Sequence, residues 1–156
     1  MSDEPYVTDE ARALLGVESV QTSYPVSARH IREYCSGGDN WRSEYDGKPG
    51  EEVVAPPIFF LAASRRIDPI DELQDDGQYR DLTIPGIYGR SVLASWDIEI
   101  LDVVRVGDIL TVSEKVVAIN EKQGRAGKLI IVEKEGRHVN QHGTTIGVDL
   151  QTIIYM

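Results

Sequence analysis

The stretch Arg105-Val106-Gly107-Asp108-Ile109-Leu110-Thr111-Val112 decides the fold class. A basic residue closes one segment, Gly-Asp turns the chain, and an apolar–polar alternation resumes, which predicts a turn and then a strand. Just before it, Val92, Ala94, Trp96, Ile98 and Ile100 alternate with Leu93, Ser95, Asp97 and Glu99. That period of two predicts a strand whose first set forms a buried face. Beyond it, Leu110 to Asn120 predicts the next strand and Gly124-Arg125-Ala126-Gly127 a turn. Lys128 to Glu135 predicts a further strand, ended by a hairpin signal at Gly136-Arg137. Thr144 to Tyr155 predicts a closing strand with Ile146, Val148, Leu150, Thr152 and Ile154 along one face.

The N-terminal half reads differently. Residues 1–7 read as a frayed tail, and 8–156 as a single domain. Thr8 or Asp9 caps a short helix through Leu15, stopped by Gly16. Ser19 to Val26 predicts a strand with Val20, Thr22, Tyr24 and Val26 on one face. Ser27 caps a second helix, Ala28 to Ser36, whose apolar side holds Ile31, Tyr34 and Cys35. Gly37-Gly38 ends it. Residues 38–52 form a polar loop, long enough to suggest function. Pro56 or Pro57 fits the first turn of a third helix, and Ile58 to Arg66 is apolar almost all round, as a buried helix is. Residues 67–90 predict an irregular excursion. Helices first and an antiparallel meander after them imply an α+β fold, with the meander wrapped around the short apolar helix.

Composition removes several function classes. The 156 residues carry a formal net charge of -10 and are 41% hydrophobic. A core is affordable on that composition, while nucleic acid and anionic membranes, which need clustered cations, are not expected partners. Arg29, Arg32, Arg42, Lys48, Arg65 and Arg66 are the scattered cations from which a local patch for an anionic ligand could be drawn. The single cysteine, Cys35, excludes an intrachain disulfide and reads as a small packing residue, compatible with a reducing cytoplasm. No apolar run approaches the length of a bilayer span, and the acidic first residues lack the features of a signal peptide. There is no P-loop, dinucleotide fingerprint or Gly-x-Ser-x-Gly elbow, so no cofactor is expected. His138 and His142 read as flanking a polar turn around Asn140-Gln141, and His30 as exposed on the second helix. No metal site is expected from them.

Taken in order, Val54-Ala55-Pro56-Pro57, the Arg105-Val106-Gly107-Asp108 turn and the closing strand resemble the MaoC-like acyl dehydratases, over roughly residues 10–156. The resemblance is to the N-terminal type of domain in that family. It implies a hot-dog fold, an antiparallel sheet wrapped around a short central helix, and pairing of two such units. It also implies a site. Members that hydrate 2-enoyl thioesters carry Asp-x-Asn-Pro-x-His after the second helix, because adding water needs a base for the water and an acid for Cα. Backbone N–H groups at a helix start stabilise the charge gained by the thioester oxygen. Here the matching segment is Gly38-Asp39-Asn40-Trp41-Arg42-Ser43-Glu44. Asp39 matches the aspartate, Trp41-Arg42 replaces Asn-Pro, and Glu44 stands where the histidine should be.

The candidate catalytic residues are therefore Asp39 and Glu44, in a degenerate motif. The candidate acyl-binding residues are Pro57, Ile58 and Phe59 at the third helix, with Leu82, Ile84, Ile87 and Tyr88 as pocket walls. The amides of Ile58 and Phe59 are the expected oxyanion donors. The resemblance implies a subunit of an (R)-specific enoyl-thioester hydratase, or of the reverse 3-hydroxyacyl-thioester dehydratase. That subunit is expected to be the acyl-binding half, with acyl-CoA or another acyl-thioester as ligand. A second hot-dog chain with the intact motif, or a second copy, is the expected partner. A non-enzymatic acyl-CoA-binding module and a hot-dog thioesterase stand as alternatives.

Overall fold

The computed structural model describes residues 5–47, 52–63, 69–73 and 84–156, with side chains throughout except Val20–Tyr24 and Glu72. Five strands form one antiparallel sheet in the order β2 (Glu18–Pro25), β5 (Ile109–Gly124), β6 (Gly127–Val139), β7 (Thr145–Tyr155), β4 (Ser91–Ile100). A small second sheet pairs β1 (Tyr6–Val7) with β3 (Ile87–Tyr88). The helices are α1 (Asp9–Ala13), α2 (Ala28–Gly37) and α3 (Phe59–Ala63). None of them is long and apolar enough to cross a membrane.

Local chemistry explains the helix starts. The Thr8 hydroxyl accepts from the Ala11 amide, and Ser27 with His30 forms a reciprocal capping box at α2. Ile31 and Cys35, one helical turn apart, are fully buried, and burial pushes the Cys35 thiol up. Both observations suit a packing residue.

The Arg105–Asp108 turn ties three parts of the chain together. Gly107 adopts φ +92°, which a Cβ would strain. The buried Asp108 carboxylate accepts from the Arg105 amide at 2.8 Å and from Gln141 Nε2 at 3.4 Å. Val26 and the turn exchange two backbone hydrogen bonds of 2.7 Å, and the Val53–Ala55 segment docks on Val104 and Val106. The turn thus fixes the start of α2 and the approach to α3 relative to the sheet.

Register defines the inner face of the sheet. β6 turns Ile130, Val132, Lys134, Gly136 and His138 inward. Their partners on β7 are Tyr155, Ile153, Gln151, Asp149 and Gly147. Two apolar clusters occupy this face. One joins Ile31, Cys35, Phe59 and Phe60 to Leu110 and Ile146, and the other joins Ala11, Ile84 and Ile87 to Val116, Ile130, Val132, Ile153 and Tyr155. Between them runs a polar band. Lys134 pairs with Glu114 at 3.0 Å, and Asp149 accepts from Trp96 Nε1 at 2.8 Å while its other oxygen lies 2.9 Å from His138 Nε2.

Five expectations are corrected. Tyr6 and Val7 are not a frayed tail: they pair with β3, and Tyr6 stacks on Tyr88. Gly136-Arg137 is not a turn. β6 runs straight through it, and Gly136 lacks a side chain because the Asp149 carboxylate crosses above it, where a Cβ would overlap. His138 is consequently a buried strand residue. On β7 the five predicted residues do not share one face: Ile146 is buried in the core, whereas Val148, Leu150, Thr152 and Ile154 lie outward and the inner face holds Gly147, Asp149, Gln151, Ile153 and Tyr155. Finally, β4 is not buried on the predicted face. A bulge between Leu93 and Ser95 shifts its alternation, and Leu93, Ile98 and Ile100 stay exposed at the sheet edge.

Candidate functional site

The end of α2 and the start of α3 meet at an open cleft of about 690 Å³. Glu33, Tyr34, Gly37, Gly38 and Asn40 form one side, and Pro56, Pro57 and Ile58 the other. The size suits a small organic group. Tyr34 is held edge-on against Phe59, ring centroids 5.3 Å apart, so the aromatic wall is anchored in the core.

The chain leaves α2 through a wound C-terminus. Gly38 donates to Tyr34 O, Asp39 to Ser36 O and Asn40 to Cys35 O at 3.0 Å. The left-handed residue here is Asp39, with φ +48°, rather than either preceding glycine. A non-glycine residue in that region costs roughly 1–2 kcal/mol, which Asp and Asn tolerate best. The Asp39 side chain is exposed, and Asp39 is not among the residues lining the cleft, although its chain neighbours Gly38 and Asn40 are.

Glu44 lies in the short 3₁₀ turn Ser43–Tyr45, which Tyr45 anchors by burial. The Glu44 carboxylate is exposed, 3.9 Å from Arg42 Nη1 and 3.5 Å from the Ser43 hydroxyl. It is not among the residues lining the cleft. No histidine lines the cleft either: His30 caps α2 on its exposed side, and His138 is buried in the sheet. Pro57 and Ile58 do line it, with Ile58 47% exposed.

The other predicted residues divide between core and surface. Phe59 is a core residue, and its amide is already engaged by Pro56 O at 2.9 Å, which removes it as a free oxyanion donor. Ile84 is buried in the second cluster with Ile87, and its amide donates to the Tyr155 hydroxyl at 3.0 Å. Tyr88 is exposed against Tyr6. Neither Ile84 nor Tyr88 lines the cleft, and Leu82 lies outside the described residues. Of the scattered cations, Arg29 pairs with Glu33 at 2.7 Å and Arg42 with Glu44. Lys48, Arg65 and Arg66 lie outside the described residues.

Two groups of residues escaped the sequence reading. Glu33 lines the cleft as the residue before Tyr34 on α2, and Asn40 because its amide bonds back to Cys35 O at the wound helix end. The second group is the His138–Asp149–Trp96 network. Burial pulls the Asp149 carboxyl up, but hydrogen bonds from His138, Trp96 and Gln151 outweigh it and hold the group below the usual carboxylate range. Its members come from three strands, and no single-strand pattern reveals them.

Residues 13–147 match the family model described as the FAS1-like dehydratase domain region. No curated protein matches the sequence significantly. Among solved structures, the chain is similar to one in the ChsH1–ChsH2 complex from Mycobacterium tuberculosis, with 14% identity and a TM-score of 0.69 over 94% of this chain and 88% of that one. It is also similar to a chain of the HadBC (3R)-hydroxyacyl-ACP dehydratase complex from the same organism, at 15% identity and TM-score 0.62, covering 96% and 99%. A MaoC-like dehydratase from Rhodospirillum rubrum aligns at 17% identity and TM-score 0.60, covering 91% and 92%. At such identities these likenesses concern the fold, which is the hot dog.

Proposed function

The chain belongs to the FAS1-like dehydratase domain region family, of MaoC-like hot-dog dehydratases and hydratases, and from that premise we propose that it is the acyl-binding half of an enoyl-thioester hydratase or of the reverse 3-hydroxyacyl-thioester dehydratase. A second hot-dog chain completes the chemistry. The observation that carries this reading is the cleft at the α2–α3 junction, which has an apolar wall of Pro56, Pro57 and Ile58 and no histidine among its lining residues.

Hydration of a 2-enoyl thioester needs one group to take a proton from water and one to deliver a proton to Cα. Asp39, which the family resemblance assigns and which lies in sequence between the cleft residues Gly38 and Asn40, is a carboxylate of the kind the first task needs. The second needs a group that is protonated near neutral pH and within reach, such as histidine. Glu44 replaces that histidine and is turned into a pair with Arg42. The apolar wall of Pro56, Pro57 and Ile58 suits the acyl or pantetheine part of a thioester, and Asn40 offers an amide to its polar atoms. Binding without turnover follows from this composition. Two of the similar structures are themselves two-chain complexes, which supports a partner.

The test uses crotonyl-CoA and the purified chain. Calorimetry should register binding, and loss of the enoyl absorbance should not exceed the rate without protein. Steady hydration by the lone chain contradicts the assignment, and release of free CoA thiol by the lone chain points instead to a thioesterase.

A further inference from the structure

The α2 side of the cleft is bare where side chains would fit. Gly37 and Gly38 line it. A Cβ at Gly37 would meet nothing within 4 Å, and one at Gly38 only the Tyr34 carbonyl oxygen, at 3.8 Å. Neither glycine has a positive φ, because Asp39 takes the left-handed position at the helix end. Packing and backbone conformation therefore require glycine at neither position, although glycine weakens a helix. What the two glycines provide is approach: a group in the cleft can lie directly against the C-terminal backbone of α2.

That backbone carries negative potential. A helix such as Ala28–Gly37 leaves roughly half an elementary negative charge at its C-terminal end. Glu33, one turn before Gly37, lines the same side and adds a carboxylate. Its Oε1 accepts from Arg29 Nε at 2.7 Å, and its Oε2 makes no hydrogen bond among the described residues. The hydrogen bond and the charge of Arg29 hold the Glu33 carboxyl below the usual carboxylate range, so it is ionised at neutral pH. Arg29 does not itself line the cleft, nor do Arg32 and Arg42, and among the described residues no cation does. Across from Glu33, Pro56, Pro57 and Ile58 form an apolar wall. An anionic group in the cleft thus meets like charge on one side and no counter-charge from the other.

We propose that the wall of Glu33, Gly37 and Gly38 makes the cleft selective for thioesters of uncharged acyl groups, against those whose acyl chain ends in a carboxylate. The glycines admit the chain to the end of α2, and Glu33 with the helix end sets the sign of what is rejected there. An apolar chain loses nothing by that contact, whereas a carboxylate is desolvated beside like charge. This rests on the acyl-binding reading and adds the class of acyl group, with Glu33 as the residue that determines it.

The test compares two thioesters on the full chain by calorimetry at low salt. Crotonyl-CoA and glutaconyl-CoA share the carrier and the 2-enoyl group and differ by one terminal carboxylate. The wild type should bind crotonyl-CoA about fivefold tighter, the scale of one exposed charge contact, and added salt should narrow the gap. Glu33→Gln, which removes the charge, keeps the shape and releases Arg29, should erase or reverse the difference. Gly37→Lys, which sets an ammonium on the open wall, should reverse it. Both positions are exposed, so thermal unfolding of each variant should match that of the wild type. Equal affinities in the wild type, or a preference for crotonyl-CoA that survives both substitutions in folded protein, overturn the inference, while the crotonyl-CoA binding seen in either case leaves the acyl-binding reading intact. Absence of crotonyl-CoA binding removes that reading and this inference with it.

Discussion

Asp149 is the residue on which most of the polar interior depends. Its two oxygens take the Trp96 indole N–H and face the His138 ring, while Gln151 adds a third hydrogen bond at 3.3 Å. Removing the carboxylate takes an acceptor from the buried His138 and from the half-buried Trp96 and Gln151, which costs far more than the pair contributes net. Asp149→Ala should lose about 3 kcal/mol in urea unfolding, whereas Asp97→Ala, on the exposed edge, should stay within about 0.5 kcal/mol. Gly136→Ala puts a methyl group into the Asp149 carboxylate and should cost about 2 kcal/mol by the same measurement. The pH dependence has a definite sign. A carboxyl whose folded pKa lies below its unfolded value contributes stability above the unfolded value, near 3.9, and loses it as pH falls through the folded value. The acid limb of the stability curve should therefore flatten in Asp149→Asn, and an unchanged limb would remove Asp149 as its source.

At the scale of elements, α2 and α3 make the cleft and the Arg105–Asp108 turn holds them to the sheet. Ile58 is exposed on the cleft wall while Phe59 beside it is core. Ile58→Asp should weaken crotonyl-CoA binding roughly tenfold, because it strips an apolar side chain from the wall and sets a carboxylate beside the acyl group; unfolding should hardly change. Phe59→Ala should instead destabilise the fold by about 3 kcal/mol. Equal losses of binding in both variants with equal losses of stability would place Ile58 in the core rather than on the site. The elements that the sequence revealed are those fixed by local chemistry: the Thr8 and Ser27 caps, the Gly124–Gly127 hairpin, and the Gly107-Asp108 turn, whose aspartate bonds an amide three residues back. The errors lie where partners come from distant strands. Gly136 looked like a turn because its purpose, clearance for Asp149, sits on another strand. The sequence placed Ile146 with Val148, Leu150, Thr152 and Ile154 along one face of β7, but it did not reveal that the inner face is polar at Asp149 and Gln151, matched to His138 and Lys134 of β6. The β4 alternation was legible, but the bulge that shifts it was not.

The whole molecule is a hot dog whose sheet has one covered face and, among the described residues, an unpaired edge at β4. The family was legible in the sequence, since it rests on residues in fixed order. The division of the candidate site was not. Pro57 and Ile58 meet Tyr34 and Asn40 across the cleft, while Ile84 and Tyr88, close to them in the reading of the excursion, belong to the α1 side of the sheet. The direct measurement is single-chain turnover against binding on the same sample of crotonyl-CoA. Saturable calorimetric binding, with hydration no faster than the protein-free control, is the predicted result; hydration that scales with the concentration of this chain alone would contradict it.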